Sequence, residues 1–126
     1  SVTSIDTTVY WAEYKVLFDN NSELYKFEDI KYNIDKVCSS DEILITKKNK
    51  KGLEKTINIK NSIKSYRFED NCLFIVLRTG QQGEVPPVRI DDFIKLINEE
   101  MNGEMSSKFI PDITRTRFFD EELRVL

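Results

Sequence analysis

The sequence predicts a ferredoxin-like α+β fold: a split βαβ sandwich whose antiparallel sheet carries two helices on one face, with an extra hairpin. Three observations lead there. Two segments place apolar residues at helical three- and four-residue steps, and several others alternate or run apolar over strand lengths. Their order is strand, helix, strand, hairpin material, strand, helix, strand.

Tyr10 to Phe18 alternates, with Tyr10, Ala12, Tyr14, Val16 and Phe18 on one face and Trp11, Glu13, Lys15 and Leu17 on the other, which defines the first strand. Asp19 to Ser22 supplies turn and cap chemistry before a helix marked by Leu24, Phe27, Ile30, Ile34 and Val37. Ser39-Ser40 separates this helix from a second strand, Glu42 to Lys47. The cationic turn Lys47 to Gly52 then leads into Glu54 to Ile59, which extends a hairpin. Ser62 to Phe68 reads as a further strand, and the apolar run Cys72 to Leu77 has the length and character of a central one. Beyond Pro86 and Pro87, the residues Ile90, Phe93, Ile94, Ile97 and Met101 mark the second helix. Asp91 and Asp92 sit in its first turn, and Asn102-Gly103 is its stop. The last strand runs from Ile113 to Phe119, with Ile113, Arg115, Arg117 and Phe119 alternating against Thr114, Thr116 and Phe118.

The 126 residues fit one domain, 1–126. The chain starts at Ser1 with no initiator methionine, which reads as the C-terminal part of a longer protein. A net charge of −3 gives no overall field toward nucleic acid or membrane, so any basic site is local and DNA is not an expected partner. No apolar run is long enough to span a bilayer and no signal peptide is visible. The expected location is therefore cytoplasmic, with no membrane partner. Cys38 and Cys72 are isolated, as free thiols in a reducing compartment would be. Histidine is absent, which removes Ser-His and Cys-His nucleophiles and imidazole zinc sites. No catalytic residue, metal or cofactor is expected of this chain.

The candidate binding residues are cationic. The loop Arg78-Thr79-Gly80-Gln81-Gln82-Gly83 leaves the central strand and offers backbone N-H groups to an anion, although a plain strand-to-helix connection needs such glycines as well. Arg78, Arg89, Arg115 and Arg117 form one guanidinium cluster if the central and last strands are near neighbours; otherwise Arg115 and Arg117 pair with Asp120, Glu121 or Glu122. Lys48, Lys50 and Lys51 form a basic hairpin tip able to track an RNA backbone, or a solvated turn. Trp11 is a candidate partner contact on an uncovered sheet face, facing another protein, a second copy of this chain or a stacked base.

Several of these landmarks carry a family likeness. Ala12-Glu13-Tyr14-Lys15-Val16, Lys47 to Gly52, Asn58 to Ile63, Arg78-Thr79-Gly80 with Gly83, Arg89 and Arg115-Thr116 occur in the order seen in the C-terminal half of the bacterial radical-SAM-linked protein family, a family of unknown function. The chain resembles that half from Trp11 to Phe119, with Ile90 standing where the family pattern has proline. The resemblance implies an accessory role, in RNA modification, beside a radical SAM protein. Since the chain lacks a Cys-x-x-x-Cys-x-x-Cys run, that role is recruitment of the partner or of an RNA substrate. The alternatives are half of a composite active site, with Arg78, Arg89 and Arg115 binding an anionic substrate, and a structural dimerisation domain that makes a homodimer.

Overall fold

The computed structural model describes residues 9–18, 26–80, 82–101 and 112–126. In chain order these residues form β1 (Trp11–Leu17), α1 (Phe27–Cys38), β2 (Leu44–Lys48), β3 (Glu54–Asn58), a 3-10 turn (Lys60–Ser62), β4 (Ile63–Glu69), β5 (Cys72–Arg78), α2 (Ile90–Glu100) and β6 (Asp112–Phe119). The turn and cap expected at Asp19 to Ser22, Leu24 and the stop at Asn102-Gly103 lie outside the described residues.

The main sheet has the strand order β4-β5-β1-β6, and every neighbouring pair is antiparallel. This is the arrangement the split βαβ plan requires, and the fold is the ferredoxin-like α+β sandwich that the sequence predicts. The hairpin β2–β3 forms a separate two-stranded sheet, with Leu44 opposite Asn58 and Lys48 opposite Glu54. Its turn closes on Asn49, whose side-chain oxygen accepts from the N-H groups of Lys51 at 2.9 Å and Leu53 at 3.0 Å, while Gly52 takes the left-handed conformation at φ 80°.

Both helices cover one face of the main sheet. Ile30, Ile34 and Val37 of α1 and Phe93 and Ile97 of α2 share one apolar core with Val16 of β1 and Leu73, Ile75 and Leu77 of β5. The hairpin adds Ile45, and its flanks add Ile43 and Ile59. Register explains the division: Val16 lies opposite Leu73 and Tyr14 opposite Ile75, so these residues point the same way. Their neighbours Lys15, opposite Phe74, and Trp11, opposite Arg78, point to the opposite face, which carries no helix among the described residues.

The last strand departs from simple alternation. A β-bulge where β6 passes Glu13 and Tyr14 places Arg115 opposite Tyr14 but Arg117 opposite Glu13. Arg115 therefore shares the helix-side face with Ile113, whereas Arg117 belongs to the open face with Phe119, which lies opposite Trp11. The alternation expected for Ile113, Arg115, Arg117 and Phe119 is corrected accordingly. The chain then folds back along the outer edge of β6 through a bridge between Phe119 and Val125. Asp120 holds this return by accepting from the backbone N-H groups of Glu122 at 3.0 Å and Arg124 at 2.8 Å. Among the described residues no helix is long and apolar enough to cross a membrane.

Candidate functional site

Two cationic surfaces emerge, one on each side of the sheet. On the helix side, a cavity of about 590 Å³ opens between the start of α2, the end of β5 and the inner half of β6. Tyr14, Val88 and Ile113 give it an apolar floor, and Lys47, Arg89 and Arg115 give it cations, with Thr79 also in the lining. Arg89 is the N-cap residue of α2. Its guanidinium lies 3.9 Å from Asp91, in a pair that is largely exposed. The Arg115 guanidinium carbon stands 4.8 Å from the Phe118 ring centre, a cation–π contact that orients it, and among the described residues it makes no ion pair. Lys47 reaches across from β2 to Asp92 at 2.8 Å.

The structure thus brings together Thr79, Arg89 and Arg115 of the residues singled out in the sequence, and divides the four arginines. Arg78 belongs to the other side of the sheet and is only 5% exposed. Its guanidinium stacks 4.4 Å from the Tyr10 ring and 5.3 Å from the Trp11 ring, and one terminal nitrogen donates to the carbonyl of Gln82. Its carbonyl accepts from the N-H of Val88 at 2.9 Å. Arg78 is consequently the organiser of the loop from Thr79 to Val88 and holds both ends of it.

The two glycines serve the same loop. A Cβ on Gly80 would come within 2.6 Å of the Val9 carbonyl oxygen, so only glycine permits this approach of two backbones, and Gly83 bends at φ 77° over the Arg78 guanidinium. Lys50 and Lys51 are exposed at the hairpin turn, and Lys48 is 4.0 Å from Glu54 across the hairpin. The lysine of this run that lines the cavity is Lys47.

The open face is the second surface. Lys15 lies 5.9 Å and Arg67 4.0 Å from the centre of the Phe74 ring, while Lys64 lies 5.5 Å from Trp11. Arg117 stands on the same face, where Glu13 accepts a 2.7 Å hydrogen bond from the Thr116 hydroxyl. Trp11 is 6% exposed, so its ring is occupied within the chain by Arg78 and Lys64. Sequence reasoning missed Lys15, Lys64, Arg67 and Phe74 as one constellation. The alternation of β1 exposes Lys15 as a companion of Trp11, but only strand order shows that β4 and β5 bring Arg67 and Phe74 alongside.

Neither thiol stands in an activating setting. Burial pushes the Cys38 thiol up to about 11, against a weaker downward pull from Lys60, and Cys72 is buried in β5. Among the described residues no group of three or more His, Cys, Asp or Glu side chains is placed to hold a metal ion.

A family of uncharacterised proteins conserved in bacteria, DUF2344, matches residues 1–87. The chain belongs to this family. The family match takes in β1, both strands of the hairpin, β4, β5 and the Arg78-Thr79-Gly80 loop, and ends before Arg89, so Arg89, Arg115 and Arg117 lie beyond it. No curated protein and no solved structure matches the chain.

Proposed function

We propose that this domain is an accessory module that recruits an RNA substrate for a radical SAM enzyme, with the open sheet face as its RNA-binding surface. The observation that carries this reading is the placement of Lys15, Lys64 and Arg67 over the aromatic side chains of that face. One side of the antiparallel sheet carries no helix among the described residues, which offers a flat bed for a single strand. The rings beneath hold the cations in place, the exposed Arg67 guanidinium plane stacks with bases of any sequence, and the ammonium groups meet phosphates. The net charge of −3 gives no long-range steering, so binding depends on this local array and is sensitive to salt. The radical SAM partner in this reading rests on the sequence resemblance alone.

The test is retention of single-stranded RNA by the purified chain at low salt, repeated with Lys15→Glu, Lys64→Glu and Arg67→Glu. Each reversal is expected to weaken retention about tenfold and to lower the salt slope by roughly one. An absence of retention at low salt, or retention untouched by the three reversals, removes the open face as an RNA surface. Pull-down of the full-length protein with identification of its bound partners tests the second half of the reading. A radical SAM protein among those partners supports it, and none among them sinks it.

A further inference from the structure

The helix-side cavity has a chemistry that the RNA-face reading does not use. We infer that it is a binding site for a nucleotide, with the phosphate held by Arg89 and Arg115 and the nucleoside lying on the floor formed by Tyr14, Val88 and Ile113. About 590 Å³ is far more than a bare phosphate needs and falls among the volumes of small-molecule sites.

Polarity decides between ligand classes. The floor is aromatic and aliphatic, whereas the cations come from three separate elements: Lys47 from β2, Arg89 from the cap of α2 and Arg115 from β6. A ligand that fits both is apolar or aromatic at one end and anionic at the other. The two guanidiniums differ from the lysine in availability. Lys47 is neutralised by Asp92 at 2.8 Å, but Arg89 has only a long, solvated pair and Arg115 makes none among the described residues. Planar guanidiniums not held by a close carboxylate match the paired oxygens of a phosphate better than an ammonium does. Arg115 is moreover aimed in advance by Phe118, which reduces the ordering that binding requires.

Asp91 also lines this cavity. A carboxylate beside two arginines disfavours a purely polyanionic ligand such as a triphosphate tail. It favours one that brings hydrogen-bond donors along with its phosphate, as ribose hydroxyls and the exocyclic amine of a base do. Thr79 supplies a hydroxyl that both donates and accepts. The shared chemistry is therefore a nucleoside monophosphate unit, whose source is either a free nucleotide or the phosphorylated end of a strand.

Titration calorimetry with AMP, adenosine and inorganic phosphate tests this on the full chain, with circular dichroism confirming that each variant is folded. AMP is expected to bind with a Kd below about 1 mM and at least about tenfold more tightly than adenosine or phosphate alone. Arg115→Ala and Arg89→Ala should each weaken AMP by about tenfold or more. Lys15→Glu and Arg67→Glu, on the other face, should leave it unchanged, so failure of this site and failure of the RNA surface are separable. Competition by a short oligonucleotide bearing a 5′-phosphate, and not by its unphosphorylated form, assigns the site to a strand end; AMP binding without such competition assigns it to a free nucleotide. No AMP binding, binding indifferent to both arginine substitutions, or phosphate binding as tightly as AMP overturns the inference.

Discussion

Lys47 of β2 and Asp92 in the first turn of α2 form an ion pair at 2.8 Å that ties the hairpin to the helix layer beside the cavity. Both side chains are partly exposed, so the pair is expected to be modest in energy but exact in placing Lys47. A double-mutant cycle with Lys47→Ala and Asp92→Asn should return a coupling of about 0.5–1 kcal/mol in urea unfolding, falling as salt is raised. A coupling indistinguishable from zero at low salt would show that the hairpin is held by Ile43, Ile45 and Ile59 alone.

Arg78 provides a sharper test of what organises the loop after β5. Truncation removes the hydrogen bond to the Gln82 carbonyl and the stacking on Tyr10 and Trp11, and it opens space beneath Trp11. Arg78→Ala is expected to lower the unfolding free energy by about 2–3 kcal/mol. Arg78→Lys should recover little of this, because an ammonium lacks the plane that stacks on both rings. Full stability of the lysine variant would mean that charge alone is at work.

These placements show why the fold was more legible than the site. Ile30, Ile34 and Val37 declare a helix face by spacing, and the unbroken run from Leu73 to Leu77 declares a strand at the centre of the sheet. The hairpin was legible as a hairpin, but nothing in its alternation says that it leaves the main sheet for one of its own. The arginines fared worse for a local reason. Arg115 and Arg117 are two residues apart, a spacing that normally means one shared face, and a single bulge opposite Glu13 sends them to opposite sides. Tyr14 carried no signal as a site residue, since its alternation reads equally well as core. Phe74 sits within an apolar run that hides which side chains face outward.

Gly80 and Gly52 separate two reasons for glycine. Around Gly80 an added Cβ meets the Val9 backbone oxygen at 2.6 Å, so Gly80→Ala must push β1's lead-in away from the loop and is expected to destabilise by about 1–3 kcal/mol. Gly52 has open space around it but a φ of 80°, so Gly52→Ala suffers conformational strain alone, about 1 kcal/mol. Nucleotide binding should weaken with Gly80→Ala, because Thr79 moves with the loop, and should be indifferent to Gly52→Ala. Equal effects of the two substitutions on both stability and binding would contradict this division.

The Cys38 thiol gives a pH prediction with a definite sign. Burial at the end of α1 raises it from an ordinary 9.0 to about 11, with Lys60 opposing and Asp35 adding to the rise. The folded chain then keeps this proton over a range in which the unfolded chain has lost it. Stability from this group is fully present below about pH 9 and is lost as pH climbs toward 11, since the unfolded state binds fewer protons there. Alkylation reports the same shift directly, because the thiolate is the reactive form. In a Cys72→Ala background, the iodoacetamide rate at Cys38 should stay low through pH 9 and rise toward a midpoint near 11 in the native chain, moving back toward 9 in denaturant. A native midpoint at the ordinary value would mean that the Lys60 ammonium, whose Nζ donates to the Cys38 carbonyl at 2.5 Å, outweighs burial.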